Sequence, residues 1–225
     1  MKKYIRNLML LLLVAAAALA LVSKLRGAKA PAPVHPSFEQ GGIPAASGVL
    51  LVNDSHALPE DYDPGELVNL YEQTRHFQLA SSEIYLERET FEAANRMFEQ
   101  AEKDGVEGFI ITSGYRSAEK QAAVFADQQD GTASKPGHSE HQTGLAFDVT
   151  ARRNFGGFEG TKQFKWLSEH CWDYGFILRY PQSREEITGL PDEPWHYRYV
   201  GMEIAKIIHE NQWTLEEYAQ TAADP

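Results

Sequence analysis

Apolar residues recur at helical spacing across residues 86–103, where Phe91, Ala94, Phe98 and Ala101 form one stripe that stops at Asp104-Gly105. That spacing predicts a helix. Residues 108–112 (GFIIT) read as a short buried strand, and Ser117 is placed to cap a helix over 118–129 with Ala122 and Phe125 on its inner face. Residues 145–149 alternate, with Leu145, Phe147 and Val149 on one face of a strand and Asp148 on the other. Residues 161–174 carry Phe164, Leu167, Cys171 and Tyr174 on a helical stripe, and Gly175 is its stop signal. Further strands are expected at 50–53, 176–180 and 195–200, with a helix over 202–210. A last helix starts at Leu215, where Thr214 and Glu217 have the spacing of a capping box. Helices and strands mix without a regular βαβ alternation. The expected fold class is therefore α+β, a small antiparallel sheet with flanking helices.

The N-terminus follows a different pattern. Residues 8–22 (LMLLLLVAAAALALV) are uninterruptedly apolar and follow Lys2, Lys3 and Arg6. A basic start before an apolar run reads as a signal peptide or membrane anchor over residues 1–30, with the cations held inside and the rest of the chain exported. No cysteine lies nearby, which rules out a lipoprotein anchor. Pro31, Pro33, Pro36 and Pro44, with Gly41 and Gly42, make residues 31–48 a spacer. Residues 49–225 are then the functional domain, at a length that suits one core.

Charge narrows the function. The chain has 21 basic and 32 acidic residues, and the six cations of residues 1–30 meet no acid there. The remainder is strongly acidic, which excludes a nucleic-acid binder, since phosphate contacts need clustered Lys and Arg. The single cysteine, Cys171, excludes a disulfide framework and a thiolate zinc knuckle, and its place on an apolar stripe reads as packing. There is no HExxH, no phosphate-binding glycine loop and no GxSxG serine elbow, so a serine-type hydrolase is not expected.

The chemistry concentrates elsewhere. His141 stands in a loop leading into the strand that carries Asp148, and Gly144 lets that loop turn so the two side chains can converge. His196 opens another strand three residues after Glu193. Two imidazoles and a carboxylate offer zinc three ligands and leave a fourth position open, as hydrolysis requires, with Glu193 in reach as general base. Spacing alone leaves two readings open: a zinc site, or a histidine and an aspartate that fall seven apart by chance. His138, three residues before His141, reads as a loop residue or one that supports the ligands from behind.

Ser139-x-His141-x-x-Gly144-x-Ala146-x-Asp148 together with Glu193-x-x-His196 resembles the signature of VanY-type D-alanyl-D-alanine carboxypeptidases. Ser113-Gly114-Tyr115-Arg116-Ser117 with Gln121 matches a third block of that family, and Pro136-Gly137-His138 extends the second. The resemblance covers roughly residues 50–211. It implies the Hedgehog/DD-peptidase fold, one Zn²⁺ per chain held by His141, Asp148 and His196, and Glu193 as catalytic base. Arg116 matches the arginine that meets the scissile carbonyl or the terminal carboxylate; Ser139 and Gln121 match positions near the substrate, where purely structural roles stay open. The implied activity is D,D-carboxypeptidase action on peptidoglycan stem pentapeptides; separately, the chain is expected to act as a monomer. An L,D-carboxypeptidase or endopeptidase of the same fold is the alternative. A non-enzymatic wall-binding module is the other, and it should lack a ligand or the base.

Overall fold

The computed structural model describes residues 48–128, 133–154 and 156–221. The expected signal or anchor and nearly all of the spacer lie outside the described residues. Among the described residues no helix is long and apolar enough to cross a membrane.

Two small sheets form. Strands β1 (Leu67–Asn69) and β3 (Tyr85–Glu87) pair antiparallel. The main sheet has five strands in the order β2 (Gln78–Leu79), β4 (Phe109–Ser113), β5 (Ala146–Ala151), β7 (His196–Tyr199) and β6 (Phe176–Leu178). All neighbours are antiparallel except β2 and β4, which are parallel. The α+β expectation therefore holds, with one parallel edge added.

Helix α1 (Arg88–Lys103) begins where the Glu87 side chain accepts from the Glu89 and Thr90 amides, two residues later than the apolar spacing suggested. Leu86 instead lies in the middle of β3, paired with Val68. The stripe behaves as expected: Phe91, Ala94, Phe98 and Ala101 are buried, with Met97 between them. Phe98 packs its ring 4.8 Å from Phe109 and 5.1 Å from Phe77. Burying a phenylalanine completely contributes about 1.5–3 kcal/mol, so this seam fixes α1 against β4.

The alternation in β5 decides what each sheet face does. Phe147 and Val149 are fully buried against that core, whereas Asp148 points to the opposite face. Across β5, Asp148 is directly paired with His196 of β7. Tyr197 and Tyr199 of β7 turn to the core, so His196 and Arg198 share Asp148's face.

Ser117 caps α2 (Ala118–Asp127) through the Lys120 amide, as expected. Its facing is the reverse of expectation. Ala122 is exposed, Phe125 is 44% exposed, and Gln121 is the buried residue of the helix. Helix α2 lies on the rim of the site rather than on the core, so its buried position is polar. The expected strand over 50–53 is also absent; Asn53 makes only a single bridge to His56.

Helix α3 (Lys162–His170), capped by Thr161, continues as a 3-10 turn, Cys171–Tyr174, and stops at Gly175 in the left-handed region. A short helix, α4 (Glu185–Thr188), precedes the segment that leads to β7. Helices α5 (Met202–Asn211) and α6 (Leu215–Thr221) close the chain. The Thr214 and Glu217 side chains exchange the two bonds of a capping box, 3.2 Å and 2.7 Å. Leu51, Ile177, Ile204, Ala205, Ile208 and Leu215 form a second apolar cluster. Since Ile177 pairs with Arg198, that cluster covers the same sheet face as the site.

Candidate metal centre

His141 lies in a 3-10 turn, Glu140–Thr143, closed by Gly144 at φ +74°. A side chain on Gly144 would also come within 3.2 Å of the Glu87 amide, whose N–H donates to the Gly144 carbonyl at 3.0 Å. The loop thus docks on the start of α1, and only glycine allows the approach.

The segment after β4 fastens the turn from the other side. The Arg116 amide donates to the His141 carbonyl at 3.1 Å, and His141 Nδ1 lies 2.8 Å from the Gly114 carbonyl. A carbonyl can only accept, so Nδ1 carries the proton and Nε2 is the free lone pair. That Nε2 is 3.3 Å from Asp148 Oδ2. Burial lowers the pKa of His141 and favours the neutral ring a ligand must be.

His196 meets Asp148 from the neighbouring strand, with Nδ1 3.0 Å from Oδ1. The two imidazoles stand edge to face, centroids 4.9 Å apart. One ligand atom from each of His141, Asp148 and His196 falls within 4.8 Å of the others, and among the described residues no other such group occurs. Two nitrogens and one carboxylate oxygen are a donor set that suits zinc with an open position. The residues fit the metal.

Glu193 sits beside this set without belonging to it. Its carboxylate is 3.7 Å from His196 Nδ1. Its backbone N–H donates to Tyr180 and its carbonyl accepts from His196, at 3.0 Å and 3.1 Å, so the main chain orders the Pro194 turn. Burial raises its pKa, partly offset by His196.

Arg116 reaches the same space. Its guanidinium donates to the Ser113 hydroxyl, to Gln121 Oε1 at 3.0 Å and to Asp148 Oδ2 at 3.4 Å. Gln121 is buried, and its amide nitrogen donates to the Ser134 carbonyl at 2.7 Å. Both ends of Gln121 are therefore held by protein, one of them on Arg116. All seven expected site residues, Ser139 and Gln121 included, line one cavity of about 290 Å³, with Tyr180 and the half-exposed Trp195 also in its wall. His138 is not among them; its Nδ1 bonds the Asn53 carbonyl at 2.8 Å.

Sequence reasoning missed Glu140. Its carboxylate is completely buried, and Oε1 accepts from Arg179 at 2.7 Å and from Arg198 at 2.8 Å. Arg179 in turn holds Glu216 of α6 through two nitrogens. Burial opposes the charge on Glu140, but the two arginines hold it ionised, far below the ordinary carboxylate range. Losing one partner of such a buried set costs roughly 3–5 kcal/mol. One signal was available: arginines inside the otherwise apolar runs FILRY and HYRYV need buried anionic partners.

Residues 83–202 match the VanY D-alanyl-D-alanine carboxypeptidase family. The putative carboxypeptidase YodJ of Bacillus subtilis is 40% identical over an alignment of 184 positions that covers 76% of this chain and 66% of that relative, just short of two thirds of its length. The LdcB LD-carboxypeptidase structure superposes with a TM-score of 0.70 at 35% identity, covering 83% of this chain and 92% of that one. A vancomycin-resistance D,D-pentapeptidase VanY variant in complex with Zn(II) superposes with a TM-score of 0.64 at 33% identity, covering 76% and 98%. With the match running from the strand before α1 to the end of the His196 strand, and so through every residue of the centre, the chain belongs to the VanY D-alanyl-D-alanine carboxypeptidase family.

Proposed function

We propose that this protein is a zinc-dependent D,D-carboxypeptidase that removes the terminal D-alanine from peptidoglycan stem pentapeptides. The observation that carries the reading is the His141, Asp148 and His196 donor set with Glu193 alongside but outside it, in one cavity with Arg116. It is a full catalytic set, which a wall-binding module would not need. A second reading, L,D-carboxypeptidase action on tetrapeptides, is favoured by the likeness to LdcB.

His141 Nε2, an Asp148 oxygen and His196 Nδ1 would hold the zinc. When bound, the metal supplies Lewis-acid polarisation of the scissile carbonyl and a water that is nucleophilic at neutral pH. The chain's own groups do the rest. Glu193 accepts the proton of the attacking water, and the new C–O bond converts the carbonyl to a tetrahedral oxyanion. Arg116, steadied by Ser113 and Gln121, presents its charge to that oxyanion or to the terminal carboxylate. As the C–N bond breaks, Glu193 returns the proton to the leaving amine of D-alanine. Ser139 lines the same cavity and is assigned to substrate contact; Gln121 acts by positioning Arg116.

Residues 1–30 are proposed to export the domain as a signal or anchor, with residues 31–48 as spacer and 49–225 as the catalytic domain, facing stem peptides outside the membrane. One chain supplies every group named here, so a monomer suffices. Mass spectrometry of defined stem peptides tests the reading. Conversion of pentapeptide to tetrapeptide with release of D-alanine is expected. Cleavage confined to tetrapeptide moves the assignment to the L,D class, and cleavage of internal bonds alone makes the protein an endopeptidase.

A further inference from the structure

The two histidines of the centre face it with different nitrogens. His141 gives Nδ1 to the Gly114 carbonyl and turns Nε2 to Asp148. His196 does the opposite, turning Nδ1 to Asp148 at 3.0 Å and placing Nε2 3.3 Å from Glu140 Oε2. Glu140 is held from behind on its other oxygen, where Arg179 and Arg198 both donate to Oε1. Arg198 is fixed in turn on the Leu50 and Tyr199 carbonyls, at 2.7 Å and 3.0 Å, and Arg179 on Glu216. The carboxylate therefore has one orientation, with one oxygen for the arginines and one for His196.

We infer that Glu140 is a positioning residue of the metal centre: clamped by Arg179 and Arg198, it accepts the Nε2 proton of His196 and thereby commits Nδ1 to the metal. This rests on the zinc reading above. The chemistry is that of an outer carboxylate that sets the tautomer, ring orientation and basicity of a ligating imidazole. Unlike the backbone carbonyl that serves His141, this acceptor is an anion, and its clamp reaches α6 through Glu216. The C-terminal helix is thus built into the support of a ligand that lies on β7.

Glu140→Gln separates this role from simple packing. The arginines can donate only to an oxygen, so they keep the amide carbonyl and turn the NH₂ toward His196 Nε2. A donor there demands a lone pair on Nε2 and moves the proton to Nδ1, the nitrogen the metal needs. Zinc affinity, read by competition with a chelator, is expected to fall 10- to 100-fold. Glu140→Asp keeps the charge between the arginines while drawing the acceptor back by one methylene, and a fall of at least about tenfold is expected. The zinc-loaded parent, labelled with ¹⁵N at histidine, should show His196 protonated at Nε2 and His141 at Nδ1. That measurement decides the matter even where neither variant folds. A parent protein that takes up no zinc overturns the zinc reading itself. A parent that binds zinc with the His196 proton on Nδ1, or a folded variant of either kind with parental zinc affinity, overturns the positioning role and leaves the zinc reading intact.

Discussion

Replacing Glu193 with glutamine removes one proton acceptor and changes almost nothing else. The turn that carries it is held by main-chain bonds, Glu193 N–H to Tyr180 and His196 N–H to the Glu193 carbonyl, and both survive the substitution. Among the described residues the side chain's nearest charged or ring-nitrogen neighbour is His196 Nδ1 at 3.7 Å, so no short hydrogen bond is broken. The three metal-holding side chains are untouched, and zinc content should stay at about one per chain. Turnover is a different matter. A positioned general base contributes about 10²- to 10⁴-fold, which is about 2.7–5.4 kcal/mol of barrier at 1.36 kcal/mol per tenfold. Burial raises the Glu193 pKa. The base must be ionised to accept a proton, so parental kcat/KM should be present above that raised pKa and fall as pH drops through it. The glutamine variant should lack this acid limb. Bound zinc by elemental analysis and D-alanine release from a stem pentapeptide, measured on the same preparations, check the outcome. A variant that turns over like the parent, or one stripped of zinc, refutes the assignment of Glu193 as base.

His196→Ala should lose both zinc and turnover, because two protein ligands hold the metal poorly; chelation of the parent should abolish activity and added Zn²⁺ restore it, so full activity in a metal-depleted sample counts against the centre. Burial pushes the Cys171 thiol up to about 12, so iodoacetamide at pH 8 should leave it unmodified in the folded protein and label it after denaturation. Gly114→Ala should destabilise by about 1–3 kcal/mol in a urea melt, since its methyl would overlap the Tyr85 carbonyl and meet Ile84 at 3.0 Å; a parental midpoint would show that the strand and the motif part freely.

Local pattern carried a good part of this molecule. The stripe through Phe91 and Phe98, the Thr214–Glu217 capping box and the alternation around Asp148 are properties of neighbours a few residues apart, and each appears in the structure as spacing predicts. Expectation failed where the partner is distant. Phe125 had the spacing of a core residue, but α2 is docked at the rim of the cavity and leaves it exposed. Nothing in residues 78–79 announces a parallel partner in β4, because that pairing depends on where the chain returns. Residues 50–53 have the composition of a strand and find no strand to pair with beyond one bridge.

The site divides along the same line. His141, Asp148, His196, Glu193 and Arg116 could be named from the chain alone, since their types and order carry the resemblance. Which nitrogen of each histidine faces the centre could not be. That choice rests on the Gly114 carbonyl, 27 residues from His141, and on Glu140, 56 residues from His196. Gln121 likewise was readable as a residue near substrate, and only its contacts with Arg116 and Ser134 make it a support. Sequence by itself determined the kinds of groups present and the local elements that bear them, because covalent spacing and hydrophobic periodicity are short-range. Tertiary structure alone decided their orientation and charge. Hydrogen-bond direction and the cost of burying an ion depend on what the fold brings within about 3 Å.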